Sequence, residues 1–281
     1  MSAGRWDAMR RYGRDRRVLI VLAASLGLIA AIAVLFTVGP LAPQRDPTWE
    51  RIQRQGVMRV GMDASYPPFE VQLQDGSYQG YDVDLAREIG SRLGVGVEFV
   101  NVHFDGLYDA LRTGKFDLII SALPYDRFLT RDVLYSYSYF NAGQVILERE
   151  GESSVQSLSD LDGRRVGVEL GSAGHERLRT LQREKGVALQ LTPFTTPEEA
   201  RDALLNGEVD VVVVDAITAY EFVGRGGVQI VEGILLTDEP YVIAVTLQSP
   251  ILLEKVNGIL VQLREECVLD ALRERWLLSA H

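Results

Sequence analysis

The sequence predicts a two-lobed α/β fold behind one N-terminal transmembrane helix, and three observations carry that prediction. DALRTGKFDLII, from Asp109 to Ile120, is echoed ninety-three residues later by DALLNGEVDVVV, from Asp202 to Val213. Each copy follows the same apolar strand start, Arg59-Val60-Gly61 before the first and Arg165-Val166-Gly167 before the second. Val18 to Val38 runs twenty-one residues without a charge. A helix, a Gly able to end it, an Asp and a run of aliphatic residues describe a helix feeding a buried parallel strand. Two such units with a long period make two similar α/β lobes rather than a solenoid, which needs three or more.

The uncharged run is long enough to span a bilayer, and the Arg cluster before it belongs on the cytoplasmic side. It ends in FTVGPLAP, without the Ala-x-Ala pattern of a cleavage site, so an uncleaved anchor is expected and a cleaved signal peptide is the alternative. Either way the body is exported. Pro40, Pro43 and Pro47 make a stiff tether. In the body, Val57 to Met62 reads as a strand, and Asp75-Gly76 as a hairpin turn. Val83, Leu85, Ala86, Ile89 and Leu93 recur at helical spacing, closed by Gly94. A strand at 95–100, a helix at 104–113 and a strand at 116–121 follow. The second lobe repeats the scheme, with strands at 165–168, 188–192 and 209–214 and helices at about 173–184 and 197–206. Two helices, 250–265 and 268–277, close the chain and are expected to return to the first lobe. The resulting division is a basic cytoplasmic tail 1–17, the membrane segment 18–38, a linker 39–49, lobe 1 from 50–144 and 240–281, and lobe 2 from 145–239.

The 281 residues are 47% hydrophobic and carry a net charge of −10. The first seventeen hold six Arg against two Asp, so the rest is strongly acidic and a poor partner for nucleic acid. Cys267 is the single cysteine, which rules out an internal disulfide. His103, His175 and His281 are scattered. No HExxH, GxSxG, Walker or GxGxxG pattern occurs, and neither a metal nor a cofactor is expected.

The runs Val60-Gly61-Met62-Asp63-Ala64-Ser65-Tyr66-Pro67-Pro68-Phe69-Glu70 and Gly80-Tyr81-Asp82-Val83-Asp84-Leu85 resemble bacterial extracellular solute-binding proteins of family 3, the polar-amino-acid-binding group. The resemblance covers roughly residues 50 to 278. It implies a periplasmic-binding-protein-like fold of type II, whose lobes close on a small polar solute, an amino acid or related amine, and deliver it to the permease of an ABC importer. A ligand-sensing domain is the alternative, and a cyclohexadienyl-dehydratase-like lyase, with Glu169 or His175 as acid or base, is a further one.

Ligand sites in open α/β sheets lie beyond the carboxyl ends of the strands. The loops 63–69, 121–125 and 171–175 and the residue Asp215 meet that description. The resemblance implies that Asp215 takes a ligand ammonium and that Tyr66 and Phe104 stack on the ligand. A helix N-cap for Asp215 and a core role for Phe104 remain open. Asp63 is a candidate for a basic ligand side chain or a turn aspartate. Ser121, with Ala122 beside it, and Ser172, with Ala173 beside it, are candidates for contact or for capping. Where the family carries a carboxylate-gripping Arg, this chain has Leu129; Pro124 and Ala173 stand where it has hydroxyls. Arg127 and Arg131, two residues either side, are the candidate substitutes.

Overall fold

The structure is a computed structural model and describes Gly27 and residues 45–278. The basic tail, the linker up to Gln44 and all of the 18–38 stretch but Gly27 lie outside the described residues. Among those described, no helix is long and apolar enough to cross a membrane.

Helix α1 (Pro47–Gln55) leads into β1 (Val57–Met62), the short strands β2 (Ser65–Tyr66), β3 (Glu70–Gln72) and β4 (Tyr78–Gln79), and α2 (Tyr81–Leu93). Then come β5 (Gly96–Asn101), α3 (Leu107–Arg112), β6 (Leu118–Ile119), β7 (Val133–Tyr135) and β8 (Phe140–Asn141). The next group is β9 (Gln144–Arg149), β10 (Arg165–Glu169), α4 (Ala173–Lys185), β11 (Gln190–Phe194), α5 (Pro197–Leu205), β12 (Val211–Asp215), α6 (Ala216–Gly224) and β13 (Val228–Leu235). Finally β14 (Pro240–Tyr241), β15 (Ala244–Thr246), α7 (Pro250–Glu265) and α8 (Val268–Arg273) run into a π-helical turn at Glu274–Leu278.

Among the described residues these strands form two five-stranded sheets, β5-β1-β6-β15-β7 and β11-β10-β12-β9-β13. The first three strands of each are parallel and the remaining two run antiparallel to them or to each other. The chain passes between the sheets along β8 and returns along β14, and these two pair with each other. Successive side chains along the central strands point to opposite faces of the sheet. In the first sheet Val60, Met62, Leu118 and Ile120 face α2 and α7, while Phe116 and Ile119 face α3 through Leu107 and Leu111. In the second sheet, Val166, Val168, Val211 and Val213 pack on α4 through Leu178 and Leu181. Parallel sheets need both faces covered, which is why Val211 to Val214 are all apolar and buried.

The echoed segments have a common physical basis. Both helices end in a six-residue turn, with Lys115 N–H donating to Ala110 O (3.0 Å) and Glu208 N–H to Ala203 O (2.9 Å). Gly114 and Gly207 sit at the reversal with φ of 74°, the left-handed region that glycine enters without strain. The Asp of each copy then clips the strand start beside it. Asp117 accepts from the Arg59 N–H (2.7 Å) and guanidinium (2.8 Å), and Asp210 from the Arg165 N–H (2.9 Å) and guanidinium (2.6 Å). The Arg165 guanidinium holds the Asp210 carboxyl below its usual range.

Some boundaries differ from the sequence reading. The helix expected at 104–113 begins as a 3-10 turn, Phe104–Gly106, before α3, because Gly106 is a weak helix former. The last helix converts to the π turn after Arg273. Within that turn Trp276 Nε1 donates to Asp84 Oδ2 (2.9 Å) and Arg275 pairs with the same oxygen (2.9 Å).

Asp117 is 2% exposed and also receives the Arg51 guanidinium, whereas Asp210 is 28% exposed. Removing a buried partner strands the charges left behind. Asp117→Ala is expected to lower unfolding free energy by about 2–4 kcal/mol and Asp210→Ala by about 1 kcal/mol or less, read from urea unfolding at constant slope.

Candidate functional site

Because β1 and β6 are neighbours and parallel, the loops that follow them emerge side by side at one edge of the first sheet. Hydrogen bonds weld the two loops together. The Asp63 N–H donates to Ser121 Oγ (2.9 Å), and Ser121 Oγ donates to Glu70 Oε1 (2.7 Å). The Asp63 carboxylate accepts from the Phe104 N–H (2.8 Å) and from Ser65 Oγ (2.6 Å). Ala122 holds a left-handed backbone, φ 40°, and its N–H donates to Asp82 Oδ2. Further on, Val242 N–H donates to Leu123 O (2.9 Å) and Tyr125 N–H to Pro240 O (3.0 Å), tying the loop to the returning strand.

The loops enclose a cavity of about 320 Å³ lined by Asp63, Ser65, Tyr66, Glu70, Phe104, Ser121, Ala122, Pro124 and Tyr241. Tyr66 and Phe104 are 46% and 40% exposed, so both present ring surface that the core does not use. Tyr66 stacks on buried Phe69 at 5.8 Å with an interplanar angle of 8°, which fixes its plane. The cavity thus offers aromatic faces, one hydrogen-bonded carboxylate, one buried carboxyl group and no cationic side chain.

Among the candidate residues, Asp63, Tyr66, Phe104, Ser121 and Ala122 come together here. The Ser121 hydroxyl, however, is consumed inside the loop network. Arg127 and Arg131 are not in the lining; Arg127 places its guanidinium 4.7 Å above the Phe128 ring, out on an exposed turn. Leu129 packs into the cluster of Leu107, Leu111, Phe116 and Val133, an apolar use of the position. Ser65, Glu70 and Tyr241 also line the cavity and are not among the residues that sequence reasoning selects. Glu70 carries a readable signal, an acid directly after the apolar Pro67-Pro68-Phe69. Tyr241 carries none, since its place depends on the β14 crossing.

The second-sheet candidates lie elsewhere, beyond β10 and β12. Ser172 caps α4: its Oγ accepts from the His175 N–H (3.1 Å) and donates to Glu169 O (2.9 Å). Ala173 is the first residue of that helix. His175 is buried, and its Nδ1 accepts from the Gly171 N–H (3.0 Å). Asp215 ends β12 and caps α6, accepting from the Thr218 N–H (3.0 Å) and Thr218 Oγ1 (2.7 Å). A larger cavity, about 410 Å³, lies between the crossing segment and the later helices, lined by residues such as Asn141, Tyr220, Glu232, Arg264 and Arg273; it contains none of the candidates. Among the described residues no group of His, Cys, Asp and Glu is disposed to hold a metal ion.

A profile of bacterial extracellular solute-binding proteins, family 3, matches residues 58–279, most of the chain. The chain belongs to this family. It is 27% identical over 228 residues to the L-cystine-binding protein TcyJ of Escherichia coli (strain K12), covering 80% of this chain and 84% of that one. The ABC transporter arginine-binding protein 1 of the same organism is 24% identical over 254 residues, 89% of this chain and 97% of its own. Among solved structures, a variant of an ancestral cyclohexadienyl dehydratase superposes with a TM-score of 0.72 at 25% identity, covering 83% of this chain and 97% of that one. The family's two-lobed α/β architecture accounts for the paired sheets and the two crossing strands.

Asp215→Ala removes the α6 cap and is expected to lower stability by about 1 kcal/mol, while Asp215→Asn, an equally good cap, stays within about 0.3 kcal/mol of wild type. Thermal unfolding of the two variants side by side checks this.

Proposed function

We propose that the chain is an extracytoplasmic substrate-binding protein, held to the membrane by its 18–38 segment, that captures an amino acid or related amine between its lobes for the permease of an ABC importer. The observation that carries this reading is the cavity at the carboxyl edge of the first sheet, flanked by Tyr66 and Phe104 and floored by Asp63 and Glu70. Two aromatic faces with carboxyl oxygens between them suit an ammonium or a basic side chain, by ring quadrupole and by charge. Asp215, at the corresponding edge of the second sheet, supplies a further carboxylate for the ligand's ammonium when the lobes approach. Names borne by relatives, L-cystine-binding and arginine-binding, support an amino acid or amine as the solute class.

With Leu129 in the core and Arg127 out on an exposed turn, the first-sheet half of the site has no guanidinium for an α-carboxylate. The remaining source of donors is the start of α4, where Ser172 and Ala173 stand. The ammonium half is accordingly the dominant half, and the solute is a cationic amino acid or its decarboxylated amine. The lyase reading is not favoured: His175 is buried with Nδ1 occupied, and likeness to a dehydratase extends to the fold that binding proteins share.

Calorimetry of residues 44–281 with L-arginine and agmatine, and with L-lysine and cadaverine, tests the reading. Each amine is expected to bind within about tenfold of its amino acid, because the carboxylate is poorly served. Asp215→Asn, which keeps the cap, is expected to weaken both members of a pair roughly thirtyfold or more. A large preference for the amino acid, or unchanged affinity in Asp215→Asn, would overturn the assignment of these roles.

A further inference from the structure

Directly beneath the first-sheet cavity two carboxyl groups meet that neither a capping nor a surface role explains. Glu70 comes from β3 and is 1% exposed; Asp82 comes from the first turn of α2 and is 0% exposed. Each spends one oxygen on the cavity loop. Glu70 Oε1 accepts from Ser121 Oγ (2.7 Å), and Asp82 Oδ2 accepts from the Ala122 N–H and from the Tyr139 hydroxyl (2.9 Å). The other two oxygens, Glu70 Oε2 and Asp82 Oδ1, are buried, and no N–H, hydroxyl or amine of the described residues reaches them. The two groups bear on each other electrostatically, the charge of Asp82 raising the Glu70 carboxyl. Two carboxylates have no donor to offer each other, whereas a carboxylic acid beside a carboxylate has one, and a single proton would give both orphaned oxygens a partner.

We propose that Glu70 and Asp82 hold one proton between them and act together as positioning residues, fixing Ser121 and Ala122 in the conformation that receives the solute. The proposal rests on reading this cavity as the first-sheet half of the solute site. Its force comes from Ala122, whose left-handed backbone is unfavourable for a residue with a side chain and persists only while neighbours hold it. The Asp82 bond is one such restraint, and the Ser121 bond to Glu70 is the next one along the chain. When the proton leaves for solvent, two negative charges face each other in a dry interior, the pair separates, and both restraints slacken.

Among the described residues, none that lines the cavity above the pair is a cation that could offset that second charge. Asp63 faces the pair from the loop after β1, and Tyr81, Tyr139 and Tyr241 face it from α2, the segment before β8, and β14. The guanidinium groups of Arg264 and Arg273 bear on Tyr81. Burial first, then the charge of Asp82, pushes the Glu70 carboxyl far above the usual carboxylate range, and burial pushes Asp82 up as well. Folded-state values raised above unfolded ones give stabilisation that is fully present below the ordinary carboxylate range and lost as pH rises through the raised values.

Glu70→Gln separates the proton from the shape, because the amide donates to Asp82 Oδ1 and accepts from Ser121 Oγ without titrating. Infrared spectroscopy of the solute-free protein at about pH 6 is expected to show a protonated-carboxyl stretch that fades towards about pH 10 and is missing in Glu70→Gln. Over the same range, hydrogen-exchange protection of the Ala122 amide is expected to fall tenfold or more in wild type and to stay level in the variant. No such stretch in wild type, or Ala122 protection independent of pH, overturns the proposal, and the wild-type titration decides the matter even if the variant does not fold. Neither reading requires solute. Failure of L-arginine to bind, with the stretch and the Ala122 profile both as expected, would count against the cavity as the solute site rather than against the shared proton.

Discussion

The fold hangs on a clip between an Arg of one parallel strand and the Asp just ahead of its neighbour. In each sheet an Arg on β1 or β10 gives its backbone N–H and its guanidinium to an Asp that immediately precedes the neighbouring strand, β6 or β12. Parallel ladders are evenly spaced and slanted, and the hydrophobic pattern of a strand buried on both faces does little to choose among registers. A bidentate ion pair supplies the choice, since a guanidinium fork fits a carboxylate in one orientation. Once Arg59 and Asp117 are locked, Val60 must lie beside Leu118 and Gly61 beside Ile119, and the loops beyond them arrive at the same level. The weld between Asp63 and Ser121 is possible only because that level is set.

The same clip explains how much could be read from the chain. The repeated wording around Asp117 and Asp210 is the direct imprint of this device, so the paired α/β units and their parallel strands were open to sequence reasoning. Loops at strand ends follow from the topology, which is why Asp63, Tyr66, Phe104, Ser121 and Ala122 could be named in advance and are found around one cavity. What escaped is whatever depends on long-range partners. Tyr241 enters the cavity through a crossing strand two residues long. Glu70 opens a three-residue strand, too short for a periodicity to show its inward direction. The hydroxyls of Ser121 and Ser172 and the carboxylate of Asp215 sit where a ligand could meet them, yet each already has partners within the chain. Nothing in residue spacing distinguishes a free donor from one already engaged. Leu129 illustrates the converse: a leucine in that turn makes a loop position part of the apolar cluster beside α3.

Nearly every polar group around the first-sheet cavity is held by another part of the protein. Asp63 is bound by two donors, Ser121 by two partners, and Ala122 by a buried carboxylate. Such a site loses little side-chain freedom when filled, so less of the interaction energy is spent on ordering. The rings of Tyr66 and Phe104 are the exceptions that face outward, and ring faces tolerate small displacements of a ligand better than hydrogen bonds do. Hydrogen-bonded polar groups thus lie below and exposed aromatic surface at the mouth.

Gly224 ends α6 on the second-sheet side, and a Cβ there would fall 2.3 Å from the Leu278 carbonyl oxygen. One turn earlier in α6, the Tyr220 hydroxyl receives the Arg273 guanidinium (2.8 Å), while Trp276 and Arg275 are fastened to Asp84 on α2. The end of the chain is therefore a strut with one foot on each sheet's helices, resting against bare backbone. The sheets are thus joined at two places, along the paired β8 and β14 and through this strut. Any rotation between the sheets either carries the strut along or lifts it off the glycine. Even the methyl group of an alanine at Gly224 would have to displace that backbone, and with it the strut.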